Sequence, residues 1–166
     1  MLQTGDSVIY GIHGVCCVAG REAVREGGNT LSFLVLEPLG QSGSRYLVPE
    51  ENPAAMAKLH RVLTAEALDA LLSNTAGLPE DWIADEGRRK QEYRSLIGSG
   101  DRVRLVRMLR ALYAHREAMG AAGRKVHQCD ENFLRDAEKL LAGEIAYVRN
   151  LEDREARAYL RRMLME

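Results

Sequence analysis

Aromatic side chains are scarce in this chain: two phenylalanines, six tyrosines and a single tryptophan among 166 residues. Cysteine is scarcer, at three. Cys16, Cys17 and Cys129 are odd in number and the adjacent pair alternates faces of a strand, so neither a disulfide framework nor a four-ligand zinc site is offered. No stretch has the apolar length needed to cross a bilayer. The N-terminus runs straight into Gly5-Asp6, without the basic region, hydrophobic core and cleavage site of a leader. A cytoplasmic protein with no membrane partner is expected. No phosphate-cradling glycine loop and no metal-ligand cluster is legible, so no cofactor and no metal are expected.

What is present divides the chain in two. Up to about Pro53, β-branched and apolar runs are punctuated by glycine every eight to twelve residues, the mark of short strands that turn sharply and pair again. Ser7 to Tyr10 reads as a first strand, and His13-Gly14 as a reversal. Val15 to Arg25 reads as a long second strand with a bulge or corner at Gly20. Glu26-Gly27-Gly28-Asn29 supplies a hairpin, Leu31 to Leu36 a central strand ended by Pro38, and Arg45 to Val48 a last strand. A small antiparallel β-barrel follows. From Pro53 onward the apolar spacing becomes helical: Leu59, Val62 and Leu63, then Leu68, Leu71 and Leu72 after an N-cap at Thr64. Leu78-Pro79-Glu80-Asp81 leads into a helix with Trp82 near its start, and Ser99 or Asp101 caps the next. Leu134, Ala137, Leu141, Ile145 and Val148 mark a later core-facing helix, in which Gly143 permits close helix approach. Leu160, Met163 and Leu164 mark the last. The fold class is α+β, with a β-barrel domain over residues 1–54 and an all-α domain over residues 55–166.

Charge is nearly balanced overall yet segregated along the chain. Residues 82–128 carry eleven Lys and Arg against five Asp and Glu, while residues 1–81 carry five against ten. One half is suited to face nucleic acid and the other is not, although a solvated helix face gives the same count. On the helix from about Asp101 to Met119, Val106, Leu109, Leu112 and Tyr113 share one side. Arg104, Arg107 and Arg110 form a stripe across from them, at a spacing that can follow a sugar-phosphate backbone. Trp82 precedes Arg88-Arg89-Lys90 by less than two helical turns. A flat amphipathic ring beside a cationic run suits contact with an exposed base step while the charges grip phosphate.

Catalysis finds little support. His13 and Cys16 are close in sequence and could form an activated nucleophile, but no third orienting residue or oxyanion site accompanies them. The chain is read as non-enzymatic, with no catalytic residues.

Two signatures about thirty residues apart, Gly5-Asp6-Ser7-Val8-Ile9-Tyr10-Gly11-Ile12-His13-Gly14-Val15 and Val48-Pro49-Glu50-Glu51-Asn52, resemble the CarD family of bacterial transcription regulators. The N-terminal domain of that family is also similar to the polymerase-interacting module of transcription-repair coupling factors. Pro79-Glu80-Asp81-Trp82, Ser99-Gly100-Asp101-Arg102-Val103 and Ala137-Glu138-Lys139-Leu140-Leu141-Ala142-Gly143-Glu144-Ile145-Ala146 extend the resemblance in the family's order. The resemblance implies an SH3- or Tudor-like barrel that binds the RNA polymerase β subunit through exposed strands, with Arg25, Arg45, Tyr46 and Leu47 as candidate contacts. It also implies that the helical half contacts promoter DNA and stabilises the open complex at the upstream edge of the bubble; because phosphate contacts carry no base information, that binding is expected to lack sequence specificity. There Trp82 would be the wedge, and Arg88 and Arg89 match the family's arginine pair once one inserted helical turn is allowed for; the charge run and the helix stripe put Lys90, Arg104, Arg107 and Arg110 on phosphate as well. The sequence departs from relatives by about one helical turn added between Trp82 and Ser99. It also has Leu47, Glu131 and Asn132 where basic residues stand in some of them. A monomer is expected. The competing reading is a protein–protein adaptor with no nucleic-acid contact.

Overall fold

The computed structural model describes residues 1–75 and 82–166. Two compact units are present, Met1–Val62 and Leu63–Glu166. The expected features at Leu78-Pro79-Glu80-Asp81 lie outside the described residues.

The first unit is a five-stranded antiparallel sheet: β1 (Ser7–Tyr10), β2 (Val15–Glu26), β3 (Asn29–Pro38), β4 (Tyr46–Pro49) and β5 (Leu59–Arg61), with a four-residue helix α1 (Pro53–Met56). The strand order is β4-β3-β2-β1-β5. The sheet remains open, with β4 and β5 at its edges, so the small antiparallel barrel expected is a barrel only loosely. It nevertheless curls, because Tyr46 on β4 reaches Tyr10 on β1 with ring centroids 5.9 Å apart, although those strands are not neighbours. Register follows the pleat. Val8 faces Cys16, Val18 faces Leu36, and Leu34 faces Val48 across their ladders. All six are fully buried and form the core of this unit. The register shifts between Val18 and Gly20, where the bulge was expected. Gly27 and Gly28 both have positive φ, which is what a two-residue turn between tightly twisted strands requires.

β5 overturns the helical reading of Leu59. That residue pairs with Tyr10, and His60 pairs with Ile9, so the segment after α1 completes the sheet. The first unit thus runs to Val62, beyond the break expected at residue 54.

The second unit contains α2 (Ala65–Thr75), α3 (Glu86–Ser99), α4 (Arg102–Ala121), α5 (Gln128–Arg149) and α6 (Asp153–Met165). Thr64 caps α2, its Oγ1 accepting the Ala67 N–H at 3.1 Å. Asp101 caps α4, accepting the Arg104 N–H at 3.1 Å. Val106, Leu109, Leu112 and Tyr113 are buried, as their spacing predicts, against Leu134, Ala137, Leu141 and Ile145 of α5 and Leu160 and Leu164 of α6. Gly143 has no packing role: a Cβ there would meet no atom within 4 Å.

Among the described residues, each charge buried in this core has a partner. Glu144 accepts the Leu63 N–H at 3.0 Å and Arg102 Nε at 2.8 Å. Glu138 pairs with Arg161 at 2.7 Å. Desolvation, reinforced by the Glu138 charge, pushes the neighbouring Tyr113 hydroxyl up to about 12.

Candidate nucleic-acid interface

Residues 82–85 are not helical, so Trp82 sits ahead of α3 and not within it. Asp85 caps that helix, accepting the Arg88 N–H at 2.7 Å. The cap turns the chain and leaves the indole half-buried against the helical core. The His115 imidazole of α4 stacks on it, with centroids 3.8 Å apart and planes 13° from parallel. The Arg89 guanidinium lies over the ring, 4.5 Å from its centroid.

Arg89 departs from its expected role on phosphate. Its Nε and Nη2 each donate to an Asp130 carboxylate oxygen at 2.9 Å, and its Nη1 donates to the Ile83 carbonyl at 3.0 Å. Only 3% of the residue is exposed. The Asp130 contact raises the guanidinium pKa above the ordinary arginine value, so the charge is permanent but spent inside the protein. Lys90 is paired with Glu86 at 2.7 Å. Such exposed pairs contribute about 0–1 kcal/mol, so Lys90 remains exchangeable with an outside anion whereas Arg89 does not.

A cleft of about 670 Å³ gathers four of the seven residues expected on DNA: Trp82, Arg88, Arg104 and Arg107 all line it. Ile83, Leu96 and Met108 give it apolar surface, and Asp85 and Glu92 bring negative charge to it. Arg88 is exposed and reaches Glu92 at 3.4 Å. Arg104 is exposed and forms no ion pair among the described residues. Arg110, also on α4, is half-buried and does not line the cleft.

The sheet unit places its four candidates in two groups. Tyr46 and Leu47 lie on the edge strand β4, with Arg45 directly before it. Leu47 is 46% exposed, which removes it from the core, and Tyr46 packs its ring 4.0 Å from that of His13. Arg45 is exposed and paired with Glu22 on β2. Arg25 stands opposite Thr30 near the hairpin tip, while Leu47 stands opposite Val35. Those partners stand five positions apart on β3, roughly 17 Å along the strand, so Arg25 belongs to a different part of the surface.

His13 is thus occupied by stacking. Cys16 is fully buried and burial pushes its thiol up to about 11, the reverse of what a nucleophile needs. Among the described residues no group of three or more His, Cys, Asp and Glu could hold a metal ion, and no helix is long and apolar enough to cross a membrane.

His115 and Asp130 were not legible as site residues. The one trace of His115 is its spacing, since positions 104, 108, 111 and 115 fall on one side of α4. Asp130 stands in the first turn of α5, where an acid is ordinary.

The chain thus joins a sheet with short edges to a helical unit whose cleft sets three arginines and two acids beside the one indole. Two family models match the chain: the CarD-like/TRCF RID domain over residues 2–62 and the CarD C-terminal domain over residues 66–161. The chain belongs to the CarD family, whose members are non-enzymatic, transcription-related proteins that interact with RNA polymerase.

Proposed function

We propose that this protein holds RNA polymerase through its sheet unit and stabilises the promoter open complex through its helical unit, acting as a monomer in the cytoplasm. The observation that carries the reading is the convergence of Trp82, Arg88, Arg104 and Arg107 on one cleft. An indole flanked by guanidiniums can meet an opened base step while the charges meet phosphate, and phosphate contacts hold any sequence equally. On the sheet, exposed Leu47 beside Arg45 and Tyr46 on edge strand β4 supports docking on the β subunit, where main-chain groups and alternate side chains are both available.

Tethering makes weak DNA contact sufficient. Once the sheet is anchored, the helical unit meets the upstream edge of the bubble at an effective concentration of order mM. If Trp82 contributes about 1–3 kcal/mol, as aromatic contacts with bases do, the open-to-closed ratio changes by roughly fivefold to 150-fold.

The test is a promoter-opening assay with purified polymerase. Trp82→Ala is expected to bind polymerase normally and to lose the prolonged open-complex lifetime. A lifetime equal to that of the unaltered protein would reject the reading.

A further inference from the structure

We infer that His115 is a positioning residue for Trp82: with Arg89 it clamps the indole between two flat groups, so that the tryptophan acts through the edge of its ring. The inference rests on the proposed promoter contact of Trp82 and adds how that contact is made.

The geometry is the argument. His115 lies 3.8 Å from the indole centroid and nearly parallel to it, and the Arg89 guanidinium carbon lies 4.5 Å from the same centroid, over the ring. Two flat groups at those distances would overlap each other above a single face, because non-bonded heavy atoms settle about 3.5–4.0 Å apart. They therefore take opposite faces. Arg89 is itself fixed by Asp130 on α5 and by the carbonyl of Ile83, the residue next to the indole it covers. His115 projects from α4, whose neighbouring turns are buried in the core. Three helices thus fix one ring.

A side chain ordered before its partner arrives loses little freedom on binding. With both faces covered, the ring edge is the part left to enter a base step. The indole borders both the cleft shared with Arg104 and a smaller one of about 290 Å³ that includes His115, Met119 and His127.

Burial lowers the His115 pKa below the ordinary imidazole value, so the ring is neutral at pH 7. Asp130 on α5 opposes that shift, while Arg89 on α3 and His127 ahead of α5 add to it; Glu86 on α3 lines the same small cleft. A protonated imidazole in contact with an indole quenches its emission.

Because Trp82 is the only tryptophan in this sequence, emission excited selectively in the indole, clear of the six tyrosines, reports the surroundings of this ring. Emission of the unaltered protein is expected to fall on acidification with a midpoint below 6.5. His115→Phe keeps an aromatic face and abolishes that titration. His115→Ala, or His115→Leu should the alanine variant not fold, removes the face. Those variants are expected to lower the emission anisotropy and to shorten open complexes by about threefold to tenfold, the equivalent of one aromatic pair. His115→Phe is expected to retain the lifetime. Unchanged anisotropy and pH response in His115→Ala or His115→Leu would overturn the clamp, as would equal lifetimes for these and His115→Phe where Trp82→Ala does shorten the lifetime. If Trp82→Ala itself leaves the lifetime unchanged, the promoter reading fails, and the anisotropy and pH arms still decide the clamp.

Discussion

Arg89 and Asp130 form a two-point ion pair across 41 residues of sequence, both contacts at 2.9 Å and both side chains shut away from water. Removing one partner strands the other as an unpaired buried charge, which costs about 3–5 kcal/mol. Asp130→Ala is therefore expected to lower the stability of the protein by that amount in urea denaturation. A loss below about 1 kcal/mol would show that water reaches the pair.

Arg104 differs from Arg89 in having its guanidinium outside. Neutralising one phosphate contact reduces the slope of log affinity against log salt by about one. Arg104→Ala should show that reduction in DNA binding measured from low to moderate salt. It should weaken binding to unrelated sequences equally. A sequence-dependent loss, or an unaltered slope, would remove Arg104 from the interface.

Leu47 offers the cleanest probe of the sheet unit. As an exposed edge-strand residue, Leu47→Glu should leave thermal stability within about 0.5 kcal/mol of the starting value. Association with the polymerase β subunit should fall by at least about tenfold, since a charge desolvated in an apolar contact costs more than 1.4 kcal/mol. Retained association in a binding titration would move the docking surface elsewhere, with Arg25→Glu the next substitution to make.

Cys16 should resist alkylation at pH 8 in the folded protein while Cys17 and Cys129, both partly exposed, react. Its pKa is raised from 9.0 to about 11, so its stabilising effect is complete below pH 9 and is lost as pH rises toward 11. Cys16→Ser should flatten that alkaline decline in a stability–pH profile. Rapid labelling of Cys16 under native conditions would contradict its burial.

The strands declared themselves through glycine, because Gly27 and Gly28 do what other residues resist, and the core of α4 declared itself through spacing alone. β5 did not. Leu59, Val62 and Leu63 fit a helical period, and a three-residue strand is too short for alternation to show. The degree of closure was not legible for a related reason: edge pairing depends on contacts distant in sequence, whereas the pattern along each strand is local. The cationic run at Arg88-Arg89-Lys90 was legible as charge. Nothing in it distinguished the member that faces Asp130, a partner fixed only when α5 folds back on α3. His115 was hidden for the same reason, a single imidazole whose role exists only against a ring 33 positions earlier.

The margins of the sheet are β4 and β5, four and three residues long. So short a run of open backbone gives a second copy too few rungs to template on, and Arg45 at its threshold adds charge against stacking. Fibre-like self-assembly is thereby discouraged without covering the surface. A partner that adds side-chain contacts to those few rungs gains what a passing strand cannot, so selectivity for a particular mate is built into the brevity of the border.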